Sequence, residues 1–301
     1  MFKKFREIRR KNRQKAERAR LMKDRSLLQT VFFQDCVVNR RSSGVRTSSP
    51  GPEVIVSLTT FDKRINDVCL TVESLFQQTM QADRVVLCIC EKDFSWDTLP
   101  ESLIAQTQRG LEILFCPEDL GPYTKFFYTL SKYPDALLIT VDDDILYPID
   151  MIDQLVKAYR REPDVIHCHR AHKMLRDANG NLLSYRKWPK TQRGDKAALD
   201  LFPTGVGGVL YFPGCFDDEI LNKEAFKRLA PKADDVWLKA MSLKRGTKCK
   251  AVDDSRDWKL RNVAIEGSQQ FTLKRQNKRS VGGNDDQIRQ VFSEYQLDGL
   301  F

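Results

Sequence analysis

Between Val54 and Cys168 the chain alternates short, continuously apolar runs with stretches of helical periodicity, and nothing else in it constrains the fold as much. Val54–Leu58, Arg84–Cys90, Leu111–Phe115, Ala136–Val141 and Val165–Cys168 read as strands. Their side chains are apolar in both directions, so both faces of the sheet must be covered. Between them, Asp67–Gln78, Glu101–Arg109, Tyr123–Lys132 and Asp150–Arg161 read as helices, the last capped near Asp150. In the first of these Val68, Val72, Leu75 and Phe76 share an inner face. Strands that alternate with helices predict an α/β fold with a mostly parallel sheet.

Beyond Cys168 the alternation breaks. Asn179-Gly180, inside Asp177–Leu183, is a hairpin-turn signal. Val209–Phe212 and Thr247–Val252 read as further strands. Asn222 is placed to cap a helix to Leu229, and Asp234-Asp235 opens one running to about Leu243. Asn284, with Asp285 and Asp286, is expected to cap a last helix whose Ile288, Val291 and Phe292 point inward. Lys274–Arg279 reads as a basic loop.

The net charge of +9 over 301 residues is unevenly spread. Residues 1–50 hold 15 Lys and Arg against 4 Asp and Glu; the rest holds 35 against 37. A near-neutral body argues against nucleic-acid binding, and none is expected. Residues 1–28 read as a basic, weakly amphipathic helix with Phe2, Phe5 and Ile8 on one face and Leu21, Met22, Leu27 and Leu28 later. Two readings stay open: a helix packed on its own body or a partner, or an arm on an anionic membrane surface. The expected organisation is a helical arm at 1–38, a Ser/Gly/Arg/Pro-rich linker at 39–52 and a domain at 53–301 with halves 53–170 and 171–301. No apolar run approaches the ~18 residues of a membrane span. The basic start has no apolar region behind it, so no secretory leader is expected. Eight cysteines without a C-x-x-C pair predict reduced, mostly buried thiols in a cytoplasmic protein, with no zinc site around His167, His169 and His172.

Five places carry the candidate chemistry. Asp142-Asp143-Asp144 follows the apolar run Ala136–Val141. Ligands of open parallel sheets bind beyond the carboxyl ends of the strands. Carboxylates there suit Mg²⁺ or Mn²⁺ carrying a diphosphate. Thr59-Thr60 with Arg64 holds the same place after the first strand, suited to a nucleoside and its phosphate. Lys125, after Gly121-Pro122, falls in a first helical turn, where the helix dipole disfavours a cation unless an anion lies close. Gly205-Val206-Gly207-Gly208 supplies free backbone donors. His169 and Arg170 are candidates for diphosphate or metal, and Tyr185, Trp188 and Trp237 for stacking on sugar rings.

From Val56 to about Ser242 these pieces, in this order, resemble bacterial glycosyltransferases of the GT-A fold, related to the family-two inverting enzymes of surface-polysaccharide synthesis. The matching runs are Thr59-Thr60 with Arg64, Gly121–Lys125, Thr140–Pro148, His167–His172, Gly205–Tyr211 and Ala233–Trp237. The resemblance implies a GT-A domain and a nucleotide-sugar donor, UDP-linked by preference. It implies transfer to a hydroxyl of a glycan or glycolipid acceptor of lipopolysaccharide or capsule type. Asp144 and Asp142 would bind Mn²⁺ or Mg²⁺. Thr59, Thr60, Arg64, Lys125, Asp142, Asp143, His169 and Arg170 would meet the donor, and Gly207, Gly208 and Trp237 the acceptor. Asp235 would be the general base with Asp234 beside it, although the pair is Asp-Asp where the family pattern has Glu-Asp. The implied location is the cytoplasm or the cytoplasmic face of the inner membrane. A non-catalytic scaffold of the same fold is the alternative; a nucleotidyltransferase would want a glycine-rich loop after the first strand, and Thr59–Arg64 has no glycine.

Overall fold

A computed structural model describes residues 2–47, 51–191, 196–271 and 283–301. The stretch Lys274–Arg279 lies outside them. The apolar runs form β1 (Val54–Thr59), β2 (Arg84–Cys90), β3 (Leu111–Cys116), β4 (Leu137–Thr140) and, after a two-residue β5 (Ile145–Leu146), β6 (Val165–Cys168). The helices between them are α2 (Val68–Phe76), α3 (Glu101–Thr107), α4 (Thr124–Lys132) and α5 (Met151–Arg161). They follow α1 (Phe2–Asn39).

The second half adds β7 (Ala171–Lys173), β8 (Lys190–Thr191), β9 (Leu201–Pro203) and β10 (Val209–Tyr211). Next come α6 (Lys223–Leu229), α7 (Asp234–Lys244) and β11 (Lys248–Ala251). A short α8 (Trp258–Arg261), β12 (Val263–Ala264) and α9 (Asn284–Glu294) complete the described elements.

Seven strands form the central sheet in the order β11-β6-β10-β4-β1-β2-β3. β10 runs antiparallel to both its neighbours and the other pairings are parallel. The expected α/β class with a mostly parallel sheet and a preceding basic helix is therefore the one observed. Alternate residues of β1 serve opposite faces. Val54, Val56 and Leu58 join a core with α2, α3 and α5, whereas Ser57 turns toward Thr129 of α4. The other face packs under α4, α6, α7 and α9 around Tyr123, Phe226 and Trp237. Strand order moves outward from β1 through β2 to β3, then returns to β4 on the other side of β1. That reversal opens a crevice at the carboxyl ends of β1 and β4, the place where such sheets bind ligands.

Several local expectations change. The helix of the arm runs to Asn39, and its docked side is formed by Phe33 and Cys36 against α2, while Phe5 and Ile8 are exposed. The segment after it is tied to the body: Gly44 N–H donates to Arg109 O, and Arg46 pairs with Asp83. The N-cap of α9 is Gly283, not Asn284, and Asp285 instead accepts the Tyr185 N–H. Asp150 sits at the α5 N-cap, but its carboxylate meets Gln154 and Arg256 rather than the helix backbone. The Asn179-Gly180 turn forms, with Gly180 at φ +81°. All eight cysteines are buried and unbridged.

Candidate functional site

The two acidic motifs, about ninety residues apart in sequence, meet across one lysine. Lys125 stands at the start of α4, and its Nζ lies 3.0 Å from Asp142 Oδ1 and 3.2 Å from Asp234 Oδ2. Asp235, next in the first turn of α7, accepts the Gly205 N–H at 3.0 Å. Gly205 marks the centre: a Cβ added there would lie 3.3 Å from Asp235 Oδ1 and 3.6 Å from both Asp142 Oδ1 and Lys125 Nζ. A side chain there would sit tightly against Asp235 and in ordinary contact with the other two charges.

The rest of the triplet faces the end of β1. Arg64 bridges Asp143 and Asp144, and Thr60 Oγ1 donates to Asp143 Oδ2 at 2.6 Å. Thr71 of α2 donates to the Asp143 carbonyl. Gln269 donates to Asp144 Oδ2 at 2.9 Å. Tyr147, just past the triplet, accepts the Asp142 N–H at 2.8 Å and so fixes the turn.

Five carboxylates thus surround two cations, Arg64 and Lys125. Burial raises the affinity of Asp144 for a proton, to a pKa of about 6, with Asp142 adding repulsion against the pull of Arg64. Burial pushes Asp234 and Asp235 up as well, with repulsion from Asp142 added for the first and from Asp234 and Asp142 for the second. Burial disfavours the charge of Lys125, but Asp234, Asp142 and Asp235 outweigh it and hold the ammonium charged. The anion that a cation in a first helical turn requires is therefore supplied, in the protein itself, by these carboxylates.

Other sequence candidates fall elsewhere. Thr59 Oγ1 donates to the Cys88 carbonyl of the adjacent strand. His169 is buried, with its ring nitrogens against Met151 O and Arg261. Burial, then Arg261, lowers its pKa to about 4. Trp237 lies in the core under Phe226 and Tyr295, its indole N–H given to Ile220 O. Trp188 is buried too, and Tyr185 stacks on His172 at 4.8 Å. Gly207 is packed under Trp258, and Gly208, at φ +90°, under Met151. Arg170 does reach the neighbourhood: Thr204, beside Gly205, donates its N–H to Arg170 O, and the guanidinium spans Trp258 and His172.

Sequence reasoning missed Trp258, Gln269 and the buried pair Asp254–Arg261, which backs His169. Their only signal is tertiary, since none stands in a spacing that marks a site.

Among the described residues no three His, Cys, Asp or Glu side chains converge as a ready metal cage. The donor set nonetheless fits a hard cation. Asp142, whose side chain is 33% exposed, and Asp144 beside it offer carboxylate oxygens. Mg²⁺ or Mn²⁺ commonly uses one or two such carboxylates and completes its shell with substrate phosphate and water.

No protein-family model matches the chain, and no curated protein matches it in sequence. Among solved structures, the mannosyltransferase PcManGT from Pyrobaculum calidifontis, in complex with GDP-Man and Mn²⁺, is 14% identical over 79% of this chain and 67% of its own, with a TM-score of 0.41. TarS residues 1–349 of S. aureus, in complex with UDP, is 12% identical over 67% of this chain and 58% of its own, with a TM-score of 0.44. A CMP:2-keto-3-deoxy-manno-octonic acid synthetase complexed with CTP is 12% identical over 67% of this chain and 89% of its own, at 0.40. At such scores the functional reading rests on the geometry of the site alone.

Proposed function

We propose that the chain is a GT-A-type glycosyltransferase that moves a sugar from a nucleotide donor, UDP-linked by preference, to a hydroxyl of a glycan or glycolipid. The observation that carries this reading is the convergence of Asp142–Asp144 and Asp234–Asp235 on Lys125 and Gly205 at the switch point of the sheet. A diphosphate leaving group and an attacking hydroxyl need opposite help, and the two motifs divide it.

Arg64 and Lys125 keep the triplet in place through their ion pairs with Asp143, Asp144 and Asp142. Asp144 and Asp142 are the residues that would hold Mn²⁺ or Mg²⁺, which, when bound, neutralises charge on the departing diphosphate. Asp235 is the proposed base. The Gly205 N–H holds one of its oxygens and leaves the other for an acceptor hydroxyl, whose proton it takes as the hydroxyl attacks the anomeric carbon. Asp234, tied to Lys125, positions the loop rather than the proton. Attack from the face opposite the diphosphate gives inversion. The sequence resemblance supports an acceptor of surface-polysaccharide type and a location in the cytoplasm or at the cytoplasmic face of the inner membrane.

Calorimetric titration of UDP with and without Mn²⁺ tests this. Binding that requires Mn²⁺ and is lost in Asp144→Ala supports it and justifies a screen of UDP-sugars. Should UDP, GDP and CMP all fail to bind, the scaffold alternative takes its place. Asp235→Asn should bind donor as the parent does yet transfer nothing; full activity would remove Asp235 from the role of base.

A further inference from the structure

A second cavity lies between α1 and the body, and its lining reaches Tyr147, whose hydroxyl holds the Asp142 N–H. It encloses about 640 Å³ and runs from Arg25 to Arg40. It is a slot open to solvent along the seam between α1 and the body. Phe32 and Phe33 of α1 line one wall, and Ile149 and Leu260 the other. Phe32 and Ile149 are half-exposed or more, at 50% and 58%, so the apolar lining continues to the surface.

The charges of the slot do not cancel. Arg256 is paired with Asp150 and Asp254, Arg261 with Asp254, and Asp257 with Arg18. Arg25 and Arg40 pair with no carboxylate among the described residues. One helical turn from Arg25, the Gln29 amide oxygen is shielded from solvent and has no hydrogen-bond partner. A buried polar atom without a partner in a cavity asks for a ligand that supplies one. The slot therefore offers a cation, the Gln29 side chain with its orphaned acceptor, and apolar walls. On the same helix Leu21, Leu28 and Val31 are exposed, downstream of a run of Lys and Arg. Those features match one chemistry: a negative head with a hydroxyl, followed by a hydrocarbon chain.

We propose that this slot holds one anionic phospholipid. Its phosphate rests on Arg25, a headgroup hydroxyl donates to Gln29, and a chain lies against Phe32, Phe33, Ile149 and Leu260. A free phosphate leaves the apolar walls unused, and a choline headgroup has no hydroxyl for Gln29 and brings a second cation beside Arg25. The proposal stands independently of the nucleotide reading.

The test is calorimetric titration of monomeric dihexanoyl phosphatidylglycerol into the full chain, with dihexanoyl phosphatidylcholine and inorganic phosphate in parallel. Saturable one-to-one binding of the glycerol lipid is expected, with the choline lipid weaker by roughly tenfold. Arg25→Glu, an exposed position, and Leu260→Asp should each weaken it by at least about that factor. Arg9→Glu with Arg13→Glu, on α1 but outside the slot, should leave it unchanged. Equal weakening by that second pair would reduce the effect to general attraction by a basic helix and overturn the proposal. Phosphate binding as tight as the lipid, or no saturable heat at all, overturns it too. UDP titrated into each variant separates the two readings: lipid loss with UDP retained concerns the slot alone, and the converse concerns the acidic site alone.

Discussion

Lys125 has a side chain only 6% exposed, yet it stays charged, because three carboxylates gather around it. Removing one partner of a buried ion pair commonly costs about 3–5 kcal/mol, as the remaining charges are left uncompensated. Lys125→Met should therefore lower the melting temperature. Its own folded pKa is raised above the unfolded value, so its contribution is fully present throughout the neutral range. The pH dependence of the variant comes from the carboxylates it abandons, and the loss should be larger at pH 8 than at pH 5. Asp235→Asn should act in the opposite direction. A carboxylate whose folded pKa is raised loses stability for the protein as pH climbs from the unfolded value through the folded one. The amide keeps an oxygen for the Gly205 N–H and removes that penalty. We expect melting a few degrees higher than the parent at pH 8, by roughly 2–4 °C, and no gain near pH 4. Thermal melts of both variants at the two ends of this range check the pair. In the parent enzyme the same shift predicts an acid limb of kcat/KM above the ordinary carboxylate range, read from a pH–rate profile.

At the scale of elements, the Gly205–Gly208 turn is held by its fit under α8. A Cβ on Gly207 would come within 2.3 Å of the Trp258 ring, a contact that forces the turn or the helix to move. Gly207→Ala should thus impair transfer and stability together, and Trp258→Ala in the same chain should recover part of the stability by vacating the space. Failure of the second change to relieve the first would show that the strain lies elsewhere in the turn. α1 is docked mainly through Phe33 and Cys36 on one side of its second half. Phe33→Ala removes a buried aromatic ring, a change that usually costs about 3–5 kcal/mol in a core. Denaturant titration should place its loss toward the lower part of that range, because one helix at the edge of the core can close over the gap.

At the scale of the whole molecule, the basic first half of α1 projects from a near-neutral body, and the expected consequence is salt-dependent attachment to anionic surfaces. Deleting residues 1–20 should leave the docked part of α1 and the melting temperature nearly intact. It should also release the protein from phosphatidylglycerol vesicles at low salt in a co-sedimentation assay. Unchanged sedimentation would give the projecting part a role with a protein partner instead.

How much of this was legible without coordinates depends on the range of the interactions. Continuous apolar runs and the 3.6-residue period report on what each segment must bury, so the order of strands and helices and the α/β class were readable directly. The triplet and the acidic pair were readable as motifs, since strand ends and helix starts are local features. That β10 runs against its neighbours was not readable, because direction within a sheet is set by long-range pairing. Nor was the burial of Trp237 and His169, whose residue types suit a binding site and a core equally. The sequence by itself determined the elements and the charges they carry. Only the tertiary structure decided that Lys125 joins two distant acidic motifs, that Arg64 and Thr60 are spent on Asp143, and that a slot remains under α1. Distances between segments far apart in the chain follow from how the sheet closes on its helices, and no local pattern encodes them.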